Sequence, residues 1–273
     1  VQLQILLFAG ILSTLTITAC APSSQLDSSE VQTSGEGIIG GWEAQPGDKI
    51  QQSIVAIYDS NEGQLCTGSL LPNNVVLTAA HCIGQNPSAM YVIFDIKVSA
   101  KSLRRKVDKV AISPYWAHRQ FEDKDTGDVA LVHFVGSVPK GYVAATFAGP
   151  SEIRLLKAGA EVVLAGFGIS NGVTGDGAGT LRVTKVKIEN PNFSASEVTL
   201  NQTQGTGACH GDSGGPAYIL VNGRHYLWGV TSRGVEDNNN DCSKLAAYTN
   251  TFFHRIWINK MAAKLATSLI KTL

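Results

Sequence analysis

Gly211-Asp212-Ser213-Gly214-Gly215-Pro216 sets a serine among glycines with a carboxylate directly before it, an arrangement suited to a nucleophile that substrate must approach closely. Thr78-Ala79-Ala80-His81-Cys82 supplies an imidazole upstream, and Asp128-Val129-Ala130-Leu131 a carboxylate at the head of an apolar run. A serine hydroxyl is a poor nucleophile at neutral pH and needs a base whose pKa lies near the working pH, which histidine provides. A carboxylate on the other ring nitrogen fixes the tautomer. Alone, each residue reads blandly: the serine as a turn residue, the histidine as a core or surface group, the aspartate as a loop-to-strand boundary. All three together, in the order His, Asp, Ser, point to nucleophilic hydrolysis.

These motifs resemble the trypsin and chymotrypsin family of serine proteases, and the resemblance runs from about Ile38 to near Trp257. It implies that Ser213 attacks, His81 moves the proton, Asp128 orients the imidazole, and the N–H groups of Gly211 and Ser213 face the developing oxyanion. Glycine at 211 keeps that approach free of a Cβ. The other histidines, His118, His133, His225 and His254, keep structural readings, whereas His210 would line the cleft by resemblance.

Short β-branched and aromatic runs at 53–58, 75–78, 91–98, 129–134, 161–165, 181–188 and 226–231, cut by Gly, Asn and Pro, predict an all-β sandwich or barrel. The family resemblance narrows this to two six-stranded antiparallel β-barrels with the active site between them. Phe253, Ile256, Trp257, Met261, Leu265 and Leu269 recur at helical spacing and predict a C-terminal helix, expected against the second barrel. With 273 residues, 44% apolar, 16% charged and no net charge, the chain can bury a large core and lacks the electrostatic signature of nucleic-acid binding. A monomer acting on proteins or peptides without a cofactor is expected. No metal is expected either: a calcium loop after Cys82 is not evident, because 83–93 contains no Asp or Glu.

By resemblance, Cys66 pairs with Cys82 and Cys209 with Cys242, which leaves Cys20 alone. Residues 3–19 are apolar or small and uncharged, and Ile17-Thr18-Ala19-Cys20 resembles the lipobox of bacterial lipoprotein signal peptides. We therefore expect a signal peptide over 1–19, lipidation at Cys20, and either an outer-membrane or periplasmic lipoprotein precursor or a protein secreted after processing. A transmembrane anchor fits less well, since Thr, Ser and Gly interrupt the segment. Val1 stands where an initiator Met and basic residues are usual; a truncated reading or a valine start codon would account for it. Residues 20–37 are polar and read as a flexible tether or propeptide, ahead of a protease domain over 38–273.

Ile38-Ile39-Gly40-Gly41 resembles the N-terminus that family zymogens acquire on cleavage, whose ammonium would pair with Asp212 and order the oxyanion loop. Cleavage would follow Gly37 rather than Arg or Lys, so an activating protease of other specificity is implied. If Cys20 carries the lipid, cleavage before Ile38 would also release the enzyme. Gly207, by correspondence at the base of the primary pocket, Ala208 beside it, and Ala246 in the wall carry no charge, which predicts a pocket for small or medium uncharged side chains. Ser232-Arg233-Gly234 matches the strand that substrates pair with, although Arg233 replaces a usual Trp. The acidic, Asn-rich insertion at 235–241 is expected to be a solvated loop, and an acidic-substrate preference from Arg233 and His210 is not expected. Two rivals are an exported esterase, disfavoured because that fold orders its triad Ser, acid, His, and a catalytically inactive binding lipoprotein, disfavoured because no triad member is missing.

Overall fold

A computed structural model describes residues 38–267; the expected signal peptide over 1–19, the tether over 20–37 with its Cys20, and Leu269 of the terminal helix lie outside the described residues. After β1 (Trp42–Glu43), the strands β2 (Ile54–Asp59), β3 (Gln64–Leu71), β4 (Val75–Thr78), β5 (Met90–Phe94), β6 (Leu103–Ile112) and β7 (Ala130–Phe134) close into a barrel of order β2-β3-β4-β7-β6-β5. The strands β8 (Glu161–Gly166), β9 (Arg182–Asn190), β10 (Glu197–Asn201), β11 (Pro216–Val221), β12 (Arg224–Val235) and β13 (Leu245–Asn250) form a second sheet. Pairing of β8 with β9 closes it into a second six-stranded antiparallel barrel, and β1 joins β9 from outside.

Alternation explains the half-buried strands. In β9, Val186 and Ile188 point inward while Lys185, Lys187 and Glu189 face solvent. By contrast β2 and β4 are covered on both faces and read as continuous apolar runs. Ile57, Leu70, Leu77 and Phe134 fill the first barrel, and Leu164, Leu200, Trp228 and Tyr248 the second. Each such side chain contributes about 1.5–3 kcal/mol by leaving water. The first cluster extends onto Val163 and Tyr218 of the second barrel, and Ser53 Oγ meets Tyr218 OH at 3.0 Å, so the barrels share a packed interface.

Between β6 and β7 lies α1 (Pro114–Arg119), with Ser113 Oγ accepting from Tyr115 N at its start; α2 (Pro150–Ile153) follows the first barrel. The terminal helix α3 (Arg255–Ala266) forms as its periodicity predicts, but it packs on β4, β6 and β7 of the first barrel rather than on the second. Its stripe of Trp257, Ile258, Met261, Ala262 and Leu265 joins the first apolar cluster, and Lys109 Nζ donates to Leu265 O at 2.9 Å. Phe253 and Ile256, expected in that stripe, are exposed. No described helix is long and apolar enough to cross a membrane.

Candidate active site

The connection from β6 to β7 ends in Asp128, and β4 runs into the short helical turn that carries His81. His81 Nδ1 lies 2.7 Å from Asp128 Oδ2, and the His81 amide donates to Asp128 Oδ1 at 3.1 Å. An ionised carboxylate can only accept, so Nδ1 carries the hydrogen and Nε2 keeps its lone pair. Ser232 Oγ donates to Asp128 Oδ2 at 2.6 Å, and Thr249 Oγ1 to its main-chain carbonyl at 3.0 Å. Burial alone would raise the Asp128 pKa; the His81 charge and the hydrogen bonds from His81 and Ser232 outweigh it and hold the carboxyl below its ordinary value. Burial likewise opposes the imidazolium of His81, but Asp128 outweighs it and the His81 pKa is raised.

Ser213 lines the same cleft as His81 and Asp128. Its loop is seated by β3: Thr67 N donates to Ser213 O at 2.8 Å, and Thr67 Oγ1 to Gly211 O at 2.9 Å. Gly211 has φ +96°, and a Cβ there would lie 2.8 Å from Gly168 Cα; Gly214 has φ +79°, and a Cβ would meet Thr78 Oγ1 and Thr67 O. Only glycine fits both positions. The amides of Asp212, Gly214 and Gly215 donate to Cys209 O, Thr231 O and Asp212 O, whereas those of Gly211 and Ser213 donate to no described acceptor. Two N–H groups without a described acceptor therefore sit either side of Asp212. Disulfides join Cys66 to Cys82 beneath His81 and Cys209 to Cys242 beside the loop. In the chain-entropy account each is worth about 3 kcal/mol or more.

Asp212 is only 1% exposed. Its oxygens accept from Gly168 N and Cys209 N, both at 2.8 Å. Burial dominates these bonds and the field of Arg182 and pushes its pKa up to about 7. Ile38 is buried in the apolar cluster that also holds Ala208, Trp228 and Tyr248, and Gly207 N donates to Ile39 O at 3.0 Å. In the full chain the Ile38 nitrogen is a peptide amide. Its φ of +33° is a region that β-branched residues adopt only under strain.

The cleft of about 370 Å³ is walled by Ala208, Ala246, Gly234, the Cys209–Cys242 disulfide, and Gln202. Gly207 is not on that wall. Gln202 fills the space a Cβ at 207 would need, accepting from Ala208 N at 2.7 Å and donating to Ala208 O and Cys242 O. The insertion is more than a solvated loop: Asp237 and Asn240 reach the cleft, Asp237 Oδ2 accepts from Cys242 N at 2.8 Å, and Asn240 O lies 3.2 Å from His210 Nε2. Arg233 lines the cleft but is engaged by Glu197 in a two-pronged ion pair of 2.8 and 3.0 Å.

Thr67, Gln202, Glu197 and Trp116, whose ring lies 6.3 Å from that of His81, were not foreseen. Nothing in the sequence marks them, apart from the place of Thr67 next to Cys66. His254 is buried, and desolvation lowers its pKa to about 4.

The sequence model described as Trypsin matches residues 38–258. Chymotrypsin-like elastase family member 1 of Macaca fascicularis is 28% identical over 243 residues, 83% of this chain and 90% of that protein. The human protein of the same name is 28% identical over 244 residues, 83% and 92% of the two chains. Chymase of Canis lupus familiaris is 26% identical over 240 residues, 83% and 90%.

Proposed function

Because the chain belongs to the trypsin family and is a serine endopeptidase, we propose that His81, Asp128 and Ser213 are its catalytic triad and that the Gly211 and Ser213 amides form its oxyanion hole. Ser213 Oγ attacks the scissile carbonyl carbon while its proton passes to His81 Nε2; the oxyanion takes up the two uncommitted amides. Collapse breaks the C–N bond, and the amine leaves with the proton held on His81. Water, deprotonated by the same imidazole, then hydrolyses the acyl-enzyme and restores Ser213. The observation that carries this reading is the 2.7 Å His81–Asp128 pair facing the cleft that Ser213 lines. In the resting site Ser213 Oγ has no described hydrogen-bond partner; such bonds often tighten only when substrate arrives.

The proposal extends to activation. Cleavage before Ile38 would free an ammonium to pair with Asp212, whose burial outweighs its two amide bonds and the field of Arg182, and would relieve the strained φ at Ile38. The protease domain then spans 38–273, preceded by the signal peptide at 1–19 and the tether at 20–37. Export follows from that leader, lipid attachment from Cys20, and release on activation from the lack of a cysteine between Cys20 and Ile38. For the primary pocket we propose small or medium uncharged side chains, because Ala208, Ala246 and Gln202 put no charge on its wall; a preference for Arg or Lys would instead assign Asp237.

Substituting Ser213→Ala tests the centre of the proposal. The variant should fold, lose proteolysis by about 10⁶-fold and fail to take up a fluorophosphonate; retained turnover would remove Ser213 from the mechanism. N-terminal sequencing of active material should begin at Ile38, and active enzyme that remains lipid-linked would contradict release.

A further inference from the structure

The segment just before Asp128 is fastened to the opposite barrel by charge. Glu197, at the start of β10, has a side chain with no solvent exposure. Its Oε1 accepts from Thr126 N at 3.2 Å and Thr126 Oγ1 at 3.0 Å, and its Oε2 from Asp125 N at 2.9 Å. Asp125 returns the contact by accepting from Ser196 N and Ser196 Oγ at 2.8 and 2.6 Å. Arg233 completes the arrangement from β12. Besides its two bonds to Glu197, it donates to Asp123 O at 2.5 Å, and its Nη1 lies 3.4 Å from Ser232 Oγ, the hydroxyl that donates to Asp128.

Two features make this more than a surface ion pair. First, the fork is bidentate and one partner is buried, which is where such pairs are geometrically specific. Burial opposes the Glu197 charge, but the bonds and charge of Arg233 outweigh it and hold the carboxyl below its ordinary range. Second, the register of β12 slips between Thr231 and Arg233, so Ser232 has no partner across the strand. A bulge re-aims side chains, and here it turns Ser232 toward Asp128 while Arg233 turns toward Glu197. One irregularity therefore serves both contacts.

We propose that Arg233 and Glu197 are positioning residues: an inter-barrel clamp that sets the main chain at 123–126 and the Ser232 hydroxyl, and through them the angle at which Asp128 presents His81 to Ser213. Arg233 lines the cleft, but its guanidinium is committed to Glu197, and neither side chain has a described hydrogen bond to Ser213. The clamp acts on the alignment between the two halves of the triad, so its loss lowers turnover more than affinity. The inference rests on the triad assignment above.

The test uses Glu197→Gln, which keeps the volume and removes the charge, and Arg233→Lys, which keeps the charge and removes one prong. Active sites are counted by burst titration, so unfolded protein does not enter the rate. Per titrated site, kcat should fall about ten- to a hundredfold for Glu197→Gln, the scale of an ångström-size misplacement, and less for Arg233→Lys, with KM changed by less than about threefold. The low-field proton of the His81–Asp128 hydrogen bond should shift in the NMR spectrum of both variants. Should Glu197→Gln yield no folded enzyme, Thr126→Val, which deletes one donor to Glu197, takes its place with the same direction. Unchanged kcat per site and an unmoved proton resonance, even with a lower melting temperature, would reduce the pair to a structural brace and overturn the proposal. Proteolysis surviving Ser213→Ala would instead refute the triad, a separate result.

Discussion

Asp128 and Asp212 are equally withdrawn from solvent, at 1% exposure each, yet their carboxyls move in opposite directions from the ordinary value. Burial penalises both charges. Asp128 has His81 at 2.7 Å and Ser232 at 2.6 Å to offset that cost, so it remains ionised. Asp212 has two backbone amides and the field of Arg182, which do not offset burial, and its pKa climbs to about 7. The same residue type at the same depth is thus held ionised in one place and pushed toward its neutral form in the other. Burial alone does not make a carboxylate functional; the nearest cation decides what it does.

Exchanging each carboxylate for its amide should break the comparison most visibly. Asp128→Asn should lower kcat by about 10⁴-fold, since the imidazole would lose its fixed tautomer. Asp212→Asn should cost enzyme that starts at Ile38 about 10²–10³-fold, the scale of one lost oxyanion donor, measured as kcat on a peptide ester. A larger loss at 212 than at 128 would reverse the roles of the two carboxylates.

A thermal scan against pH sharpens the contrast next. In the uncleaved chain the Asp212 pKa lies above its ordinary 3.8, at about 7. The folded state therefore binds the extra proton, and stability falls as pH rises between those values. The melting temperature of uncleaved Ser213→Ala should drop across this window. The form beginning at Ile38 should lose that dependence, because an ammonium would hold the carboxylate ionised; identical curves would mean that Asp212 gains no cation.

Smaller is the effect expected on the rate profile. His81 is raised from 6.5, so the acid limb of kcat/KM should have its midpoint above that value, and Asp128→Asn should move it down. Least is expected of Asp237→Asn: kcat/KM for substrates with uncharged side chains at the cut should change by about twofold or less. A cleavage preference for Arg or Lys that vanishes in this variant would replace the uncharged pocket with one charged by the insertion.

What could be read along the chain followed from local chemistry. β4 and β8 announce themselves through paired valines and β7 as a short apolar run, and the glycines around Ser213 carry their own steric reason. β3 did not, because Thr67, Gly68 and Ser69 look like a loop. They are buried, and Thr67 is satisfied across the interface by Ser213 and Gly211, partners that appear only once the barrels meet. Glu197 was hidden for the same reason, since its ligands lie about seventy residues upstream. The terminal helix showed its period but not its destination, because an apolar stripe does not say which barrel it will cover. The proposed triad residues could be picked out by resemblance; the contacts around them, supplied from elsewhere in the chain, could not.

The insertion at 235–241 is anchored at one end by β12 and at the other by Cys242, whose disulfide partner lies four residues before Ser213. Such a segment is a cassette. Its length and composition can be exchanged between two fixed posts, redrawing the mouth of the cleft while the reacting groups keep their places, which makes it the natural graft site for giving this scaffold a new appetite.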